Sequence, residues 1–95
     1  MRRVRWTRRA LADLLDIGEH IAADRPAAAR AWVERIRERA RLIAHLPRGG
    51  RKVPELGRDD IRETFLRSYR IVYRLGKGEI VVLTVFEGHR RMRPL

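Results

Sequence analysis

Residues 80–86, IVVLTVF, are almost continuously apolar. A strand with no polar face must be covered on both sides, so this one is expected near the middle of a sheet. The Gly76-Lys77-Gly78 turn precedes it, and two further strand-like runs come earlier, IRETFL (61–66) and YRIVYR (69–74). Successive side chains of a strand point to opposite faces. Ile61, Glu63 and Phe65 therefore share one face, and Arg62, Thr64 and Leu66 the other. In the next strand Tyr69, Ile71, Tyr73 and Leu75 oppose Arg70, Val72 and Arg74. Propensity alone does not place arginines inside strands. The segment 48–73 is accordingly the expected carrier of function.

The N-terminal half is helical by period. Residues 2–6 can form a first strand with Val4 and Trp6 on one face, and Thr7 is a good N-cap for a helix beginning at Arg8. Trp6 and Leu11 are placed for a hydrophobic staple. Leu11, Leu14, Leu15, Ile21 and Ala22 then recur at helical spacing with Gly18 on the same stripe, while Asp13, Asp16 and Glu19 fall off it. The helix is expected to stop near Ala23, with Asp24 as the next N-cap and Pro26 in the first turn of a second helix. That helix carries Ala29, Trp32, Val33, Ile36, Ala40 and Ile43 as its apolar stripe and ends near His45, before Pro47 and the Gly49-Gly50 pair. The order is β-α-α-β-β-β. The expected fold is α+β, with a helical hairpin packed on a mostly antiparallel four-stranded sheet, in one domain over residues 1–95.

Charge bounds the partners. The formal net charge is +11, and Lys52 and Lys77 are the only lysines among 23 cations. Such a chain repels itself and attracts polyanions, or an acidic protein that neutralises it. There is no cysteine, which excludes disulfides and thiolate metal sites. His20, His45 and His89 have no metal-binding partner at helical spacing, so no metal or other cofactor is expected. No apolar run approaches the ~20 residues of a membrane span, and the chain reads as cytoplasmic.

Four stretches resemble the ParE/RelE superfamily of type II toxins. They are WTRRALADLLDI (6–17), GRKVPEL (50–56), IRETFLRSYRIVYR (61–74) and VFEGHRRM (85–92). The central stretches are closer to the ParE branch. The resemblance implies a toxin held inactive by an antitoxin encoded beside it, a ParD-like protein with an acidic or amphipathic C-terminal segment. ParE-like toxins inhibit DNA gyrase and trap its cleaved DNA complex. RelE-like toxins share the fold but cut mRNA on the ribosome, so the site must decide.

RNA cleavage without a metal needs a base, cations around the phosphorane and an acid for the leaving oxygen. The RelE-like assignment would use Glu55 or Glu63 as base, Arg62 and Arg70 on phosphate, and His89 as acid. RelE-like sites cluster lysines and arginines around the RNA; the GRK of residues 50–52 is a partial echo, with Lys52 alone as a lysine. Contact with target or antitoxin is expected from Arg51, Lys52, Arg62, Arg70, Arg74, Arg90 and Arg91. Arg62, Arg70 and Arg74 are expected to point away from the tyrosine face, either exposed or paired with glutamate. Arg70 is the strongest single candidate, with Glu63 as its cross-strand partner. Gyrase inhibition by binding is the preferred reading, ribosome-dependent mRNA cleavage its rival, and a plain basic nucleic-acid-binding module the third.

Overall fold

The chain folds in the expected order with one strand more than its sequence shows. The computed structural model describes residues 2–95. Its elements are β1 (Arg3–Trp6), α1 (Arg8–Asp24), α2 (Pro26–His45), β2 (Arg51–Lys52), β3 (Ile61–Leu66), β4 (Tyr69–Gly76) and β5 (Glu79–Glu87), with a 3-10 turn, Pro47–Gly49, after α2. The five strands lie in the order β1-β5-β4-β3-β2. β1 runs parallel to β5, and every other pairing is antiparallel. The fifth strand is β2, two residues of the basic linker that pair with Glu63 and Arg62 of β3. Two residues carry no readable alternation, which is why four strands were expected.

Thr7 starts α1 as an N-cap: its hydroxyl accepts the Ala10 N–H at 3.1 Å. The face that α1 buries differs from the expected one. Ala10 and Leu14 are buried with Ile17 packed beside them, while Leu11 and Leu15 are exposed. The true stripe is rotated by about one residue, toward the side that faces β5. The helix also runs on through Asp24, and the junction residue is Arg25, which makes no side-chain cap. Asp24 therefore does not cap α2. Pro26 at the first position starts it instead, with a φ already suited to the helix.

Both helices cover one face of the sheet. Ala10, Leu14, Ile36 and Ala40 meet Ile71, Val82 and Val85, and the half-buried Val4, Trp6 and Val33 close around them. Trp32 stands edge-on to Tyr69 with ring centroids 6.1 Å apart. The other face carries a second, smaller cluster of Val53, Ile61 and Val72, covered by Leu83, Phe86 and Met92. Burial on both sides explains the apolar run in β5, with β1 and β4 as its neighbours.

β1 stops at Trp6, yet β5 continues to Glu87. The chain patches the edge so exposed with side chains. Thr7 donates its hydroxyl to the Leu83 carbonyl, and the Asp13 carboxylate accepts the Val85 N–H at 3.1 Å and the Thr84 hydroxyl. Asp13 thus substitutes for the next strand rather than facing water, as its place off the leucine stripe led us to expect. A register shift at the same level, where Val72 pairs Thr84 but Tyr73 pairs Val82, leaves Leu83 as the extra residue of a bulge.

Candidate functional site

β4 lies at the centre of the sheet and turns Arg70 onto the face opposite the helices. Its guanidinium is almost wholly engaged. Nε donates to Glu63 Oε1 at 2.6 Å, and the two terminal nitrogens donate to the Glu55 carboxylate at 2.7 and 2.8 Å. Glu63 comes from β3, diagonally across from Arg70, and its side chain is fully buried. Its second oxygen accepts Arg51 Nε from β2 at 2.7 Å. Phe65 and Phe86 lie under the two guanidiniums, at 5.1 Å from Arg51 and 4.9 Å from Arg70. Two arginines and two glutamates form a neutral network on an aromatic floor.

The electrostatics follow from these contacts. The Arg70 hydrogen bonds hold Glu55 at about 2, well below its ordinary 4.5, and raise Arg70 further above its already high value. A carboxylate with so low a pKa is a poor general base near neutral pH. The depressed value also fixes a sign. Stability from this pair is complete above the unfolded-state pKa and disappears as pH falls from about 4.5 toward 2. Thermal melts between pH 5 and 2 should show this loss, and Glu55→Gln should flatten the part of the profile that Glu55 contributes.

Arg62 occupies a different place. Its register partner is Tyr73, so it shares the helix-covered face with the tyrosines instead of lying beside Arg70 and Arg74. There it ties down the chain between α2 and β3. It donates to the Gly50 carbonyl at 3.0 Å, to the Asp59 carbonyl at 3.1 Å and to the Asp59 carboxylate at 2.9 Å. Asp59 also pairs with Arg48 at 2.9 Å and lies 3.8 Å from Lys52, while Arg58 pairs with Asp60 at 2.8 Å. Tyr73 completes the anchor. Its hydroxyl accepts the Gly50 N–H at 3.1 Å and donates to the Pro47 carbonyl at 2.6 Å. Burial pushes the Tyr73 hydroxyl pKa up.

His89 lies beyond β5, with 89% of its side chain exposed and Glu87 as its neighbour at 3.8 Å. The structure therefore brings together Glu55, Glu63 and Arg70 but not Arg62 or His89. Arg62 is on the opposite sheet face, and His89 is out in solvent. Among the described residues no group of three metal-ligating side chains occurs, and no helix is long and apolar enough to cross a membrane.

The basic residues of segment 48–62 are thus matched by carboxylates of the same segment and of β3. Cations without an ion-pair partner among the described residues lie elsewhere. Arg2 precedes β1 and Arg3 begins it, Arg35, Arg37 and Arg39 line α2, Arg74 sits on β4, and Arg90 and Arg91 follow β5. The sequence showed the α2 cluster but not that its C-terminal half faces β1. The available signal was Leu42, an exposed leucine off the stripe and among arginines.

Comparison with known proteins bears on the whole chain. Residues 4–94 match the family model described as ParE toxin of type II toxin-antitoxin system, parDE. Y4kP of Sinorhizobium fredii, catalogued as a candidate toxin, is 38% identical over 93 residues, covering 95% of this chain and 92% of that protein. A solved structure of the chromosomal ParDE TA system from P. aeruginosa superposes with a TM-score of 0.78 at 25% identity, over 92% of this chain and 96% of that one.

Proposed function

The chain belongs to the ParE toxin family of type II toxin–antitoxin systems, and from that premise we propose that it acts in the cytoplasm by binding DNA gyrase, and that an antitoxin made beside it holds it inactive. One observation carries the preference for binding over chemistry. The groups that could have served RNA cleavage are spent on one another. Arg70 is closed by Glu55 and Glu63, Glu55 is held at about 2 as a carboxylate, and His89 stands apart from both. A phosphate entering this network would have to displace a bidentate carboxylate from Arg70, an exchange with little to gain.

Charge supports the same reading. Net +11 on 95 residues favours fast, salt-sensitive encounter with a nucleoprotein complex or with an acidic antitoxin. The test is a supercoiling assay with purified gyrase and micromolar toxin. Supercoiling should stop and cleaved DNA complex should accumulate, and adding the antitoxin should reverse both. Full gyrase activity in the presence of toxin, together with transcripts cut in a translation extract and spared by His89→Ala, would replace this reading with the nuclease one.

A further inference from the structure

The outer face of the sheet, away from the helices, has two ends of different charge. At one end Arg51 and Arg70 are balanced by Glu55 and Glu63. At the other, beside the turn between β4 and β5, the balance fails. Val4 and Trp6 pack toward the helices, so Arg3 and Arg5 of β1 project from the outer face. The register sets Arg5 beside Val81 and Val81 beside Arg74, one row across β1, β5 and β4. Strands about 4.8 Å apart place the backbones of the two arginines roughly 10 Å apart. Val81 is buried between them. Arg3 lies two residues back along β1, next to Glu79. Glu79 accepts Nε and one terminal nitrogen of Arg5 at 3.3 and 3.2 Å. Those hydrogen bonds, and then the charges of Arg5, Arg74 and Arg3, hold its pKa below the ordinary carboxylate value. Asp60, whose carbonyl accepts the Leu75 N–H, is spent on Arg58. Three arginines therefore share one carboxylate.

We propose that this row grips the sugar–phosphate backbone of duplex DNA; the proposal deepens the gyrase reading above and rests on it for DNA as the polyanion. Three observations select that occupant. The arginines stand on two paired strands of a sheet and on the strand between them lies their only carboxylate, so their spacing is set before anything binds. Arg3 and Arg74 have no ion-pair partner among the described residues, and a guanidinium fork matches phosphate oxygens. None of the large apolar side chains exposed among the described residues lies in the row. A protein partner needs an apolar or aromatic anchor near the centre of its contact, whereas a DNA interface is polar and strongly cationic.

The experiment uses the whole toxin and a labelled DNA duplex of about 20 base pairs and arbitrary sequence, with binding read by fluorescence anisotropy over a series of salt concentrations. The sheet triple, Arg3→Gln with Arg5→Gln and Arg74→Gln, should weaken binding roughly tenfold or more and lower the slope of log affinity against log salt by about 2–3. Arg35→Gln with Arg37→Gln and Arg39→Gln removes the same charge from α2 and should change that slope by less than about 1. Glu79→Gln releases Arg5 and should tighten binding about threefold with a steeper slope, a gain that unfolding cannot produce. In the supercoiling assay the sheet triple should no longer trap cleaved DNA complex.

Equal losses from the two triples would overturn the row, reducing the contact to net charge. Unchanged or weaker binding by Glu79→Gln would overturn it too. A single-stranded RNA held more tightly than the duplex would assign the row to RNA instead. Loss of antitoxin affinity in the sheet triple, with duplex binding intact, would assign it to an acidic protein. Full trapping of gyrase by the sheet triple overturns the row and leaves the gyrase reading standing. If the duplex results hold while wild-type toxin leaves gyrase active, the gyrase reading alone falls.

Discussion

Replacing Arg70 with methionine is expected to lower stability by about 3–5 kcal/mol, the usual cost of breaking a buried ion pair from one side. The loss arises at Glu63, whose fully buried side chain would keep only Arg51 as a charged partner. Glu55 also loses the partner that holds its pKa down, a smaller share of the loss because it is partly exposed and returns to water. Against a total stability of roughly 5–15 kcal/mol, such a change leaves a marginal protein. Urea titration of the single variant measures it, and a loss under about 1 kcal/mol would contradict the buried pair. The double variant Arg70→Met with Glu63→Leu should recover most of the loss, since no uncompensated charge then remains inside. Toxicity of that double variant reads what Arg70 does beyond holding the sheet together. The single variant cannot do so, because unfolding alone would silence it.

Gly50→Ala is expected to cost about 2–4 kcal/mol, from overpacking plus the strained hydrogen bond at the same place. The backbone of Gly50 is extended and would suit any residue, with φ −76° and ψ 155°. Space is what requires glycine. A methyl group there would press into the Tyr73 hydroxyl and come 2.6 Å from the Glu63 carbonyl oxygen. Neither neighbour can retreat easily, since both belong to paired strands and Tyr73 is fully buried. Thermal melts of Gly50→Ala in wild-type and Tyr73→Phe backgrounds separate the two contacts. Removing the hydroxyl should restore part of the loss but not all of it, because the Glu63 carbonyl remains. Full rescue would assign the clash to the hydroxyl alone.

Particular residues show how much of this was legible in the sequence. The Thr7 cap, the helical hairpin, the three long strands and the covered position of β5 follow from local rules, because each is decided within a few residues. Arg62 is more instructive. Period two correctly separated the faces within each strand, but joining the faces of two strands needs their register. The two-residue turn at Arg67 and Ser68 sets Leu66 opposite Tyr69, and therefore Arg62 opposite Tyr73. Counting back from that turn would have placed Arg62 on the helix side.

The arginine-rich segment was harder to read. Its arginines resembled a surface for polyanions although the same segment carries their carboxylate partners, because most of these pairs form only when strands and linker come together. The pairing of Glu63 with Arg70 was expected from the two strands, but Glu63 meets Arg51 only once a third strand is aligned, and Asp59 meets Arg48 only once the linker has folded back. Asp13 escaped for a similar reason. Its role depends on where β1 ends beside β5, which no window of α1 contains.

The parallel pairing of β1 with β5 also sets a timetable. Arg3 lies beside Glu79 in the sheet, so β1 leaves the ribosome well before the strand it pairs with. At about 5–20 residues per second, β1 and the apolar face of α1 wait several seconds for the strand that covers them. A chain stopped before Glu79 has both helices and no β5, and therefore neither Val82 nor Val85 to close the core. The core cannot close until β5 has been made.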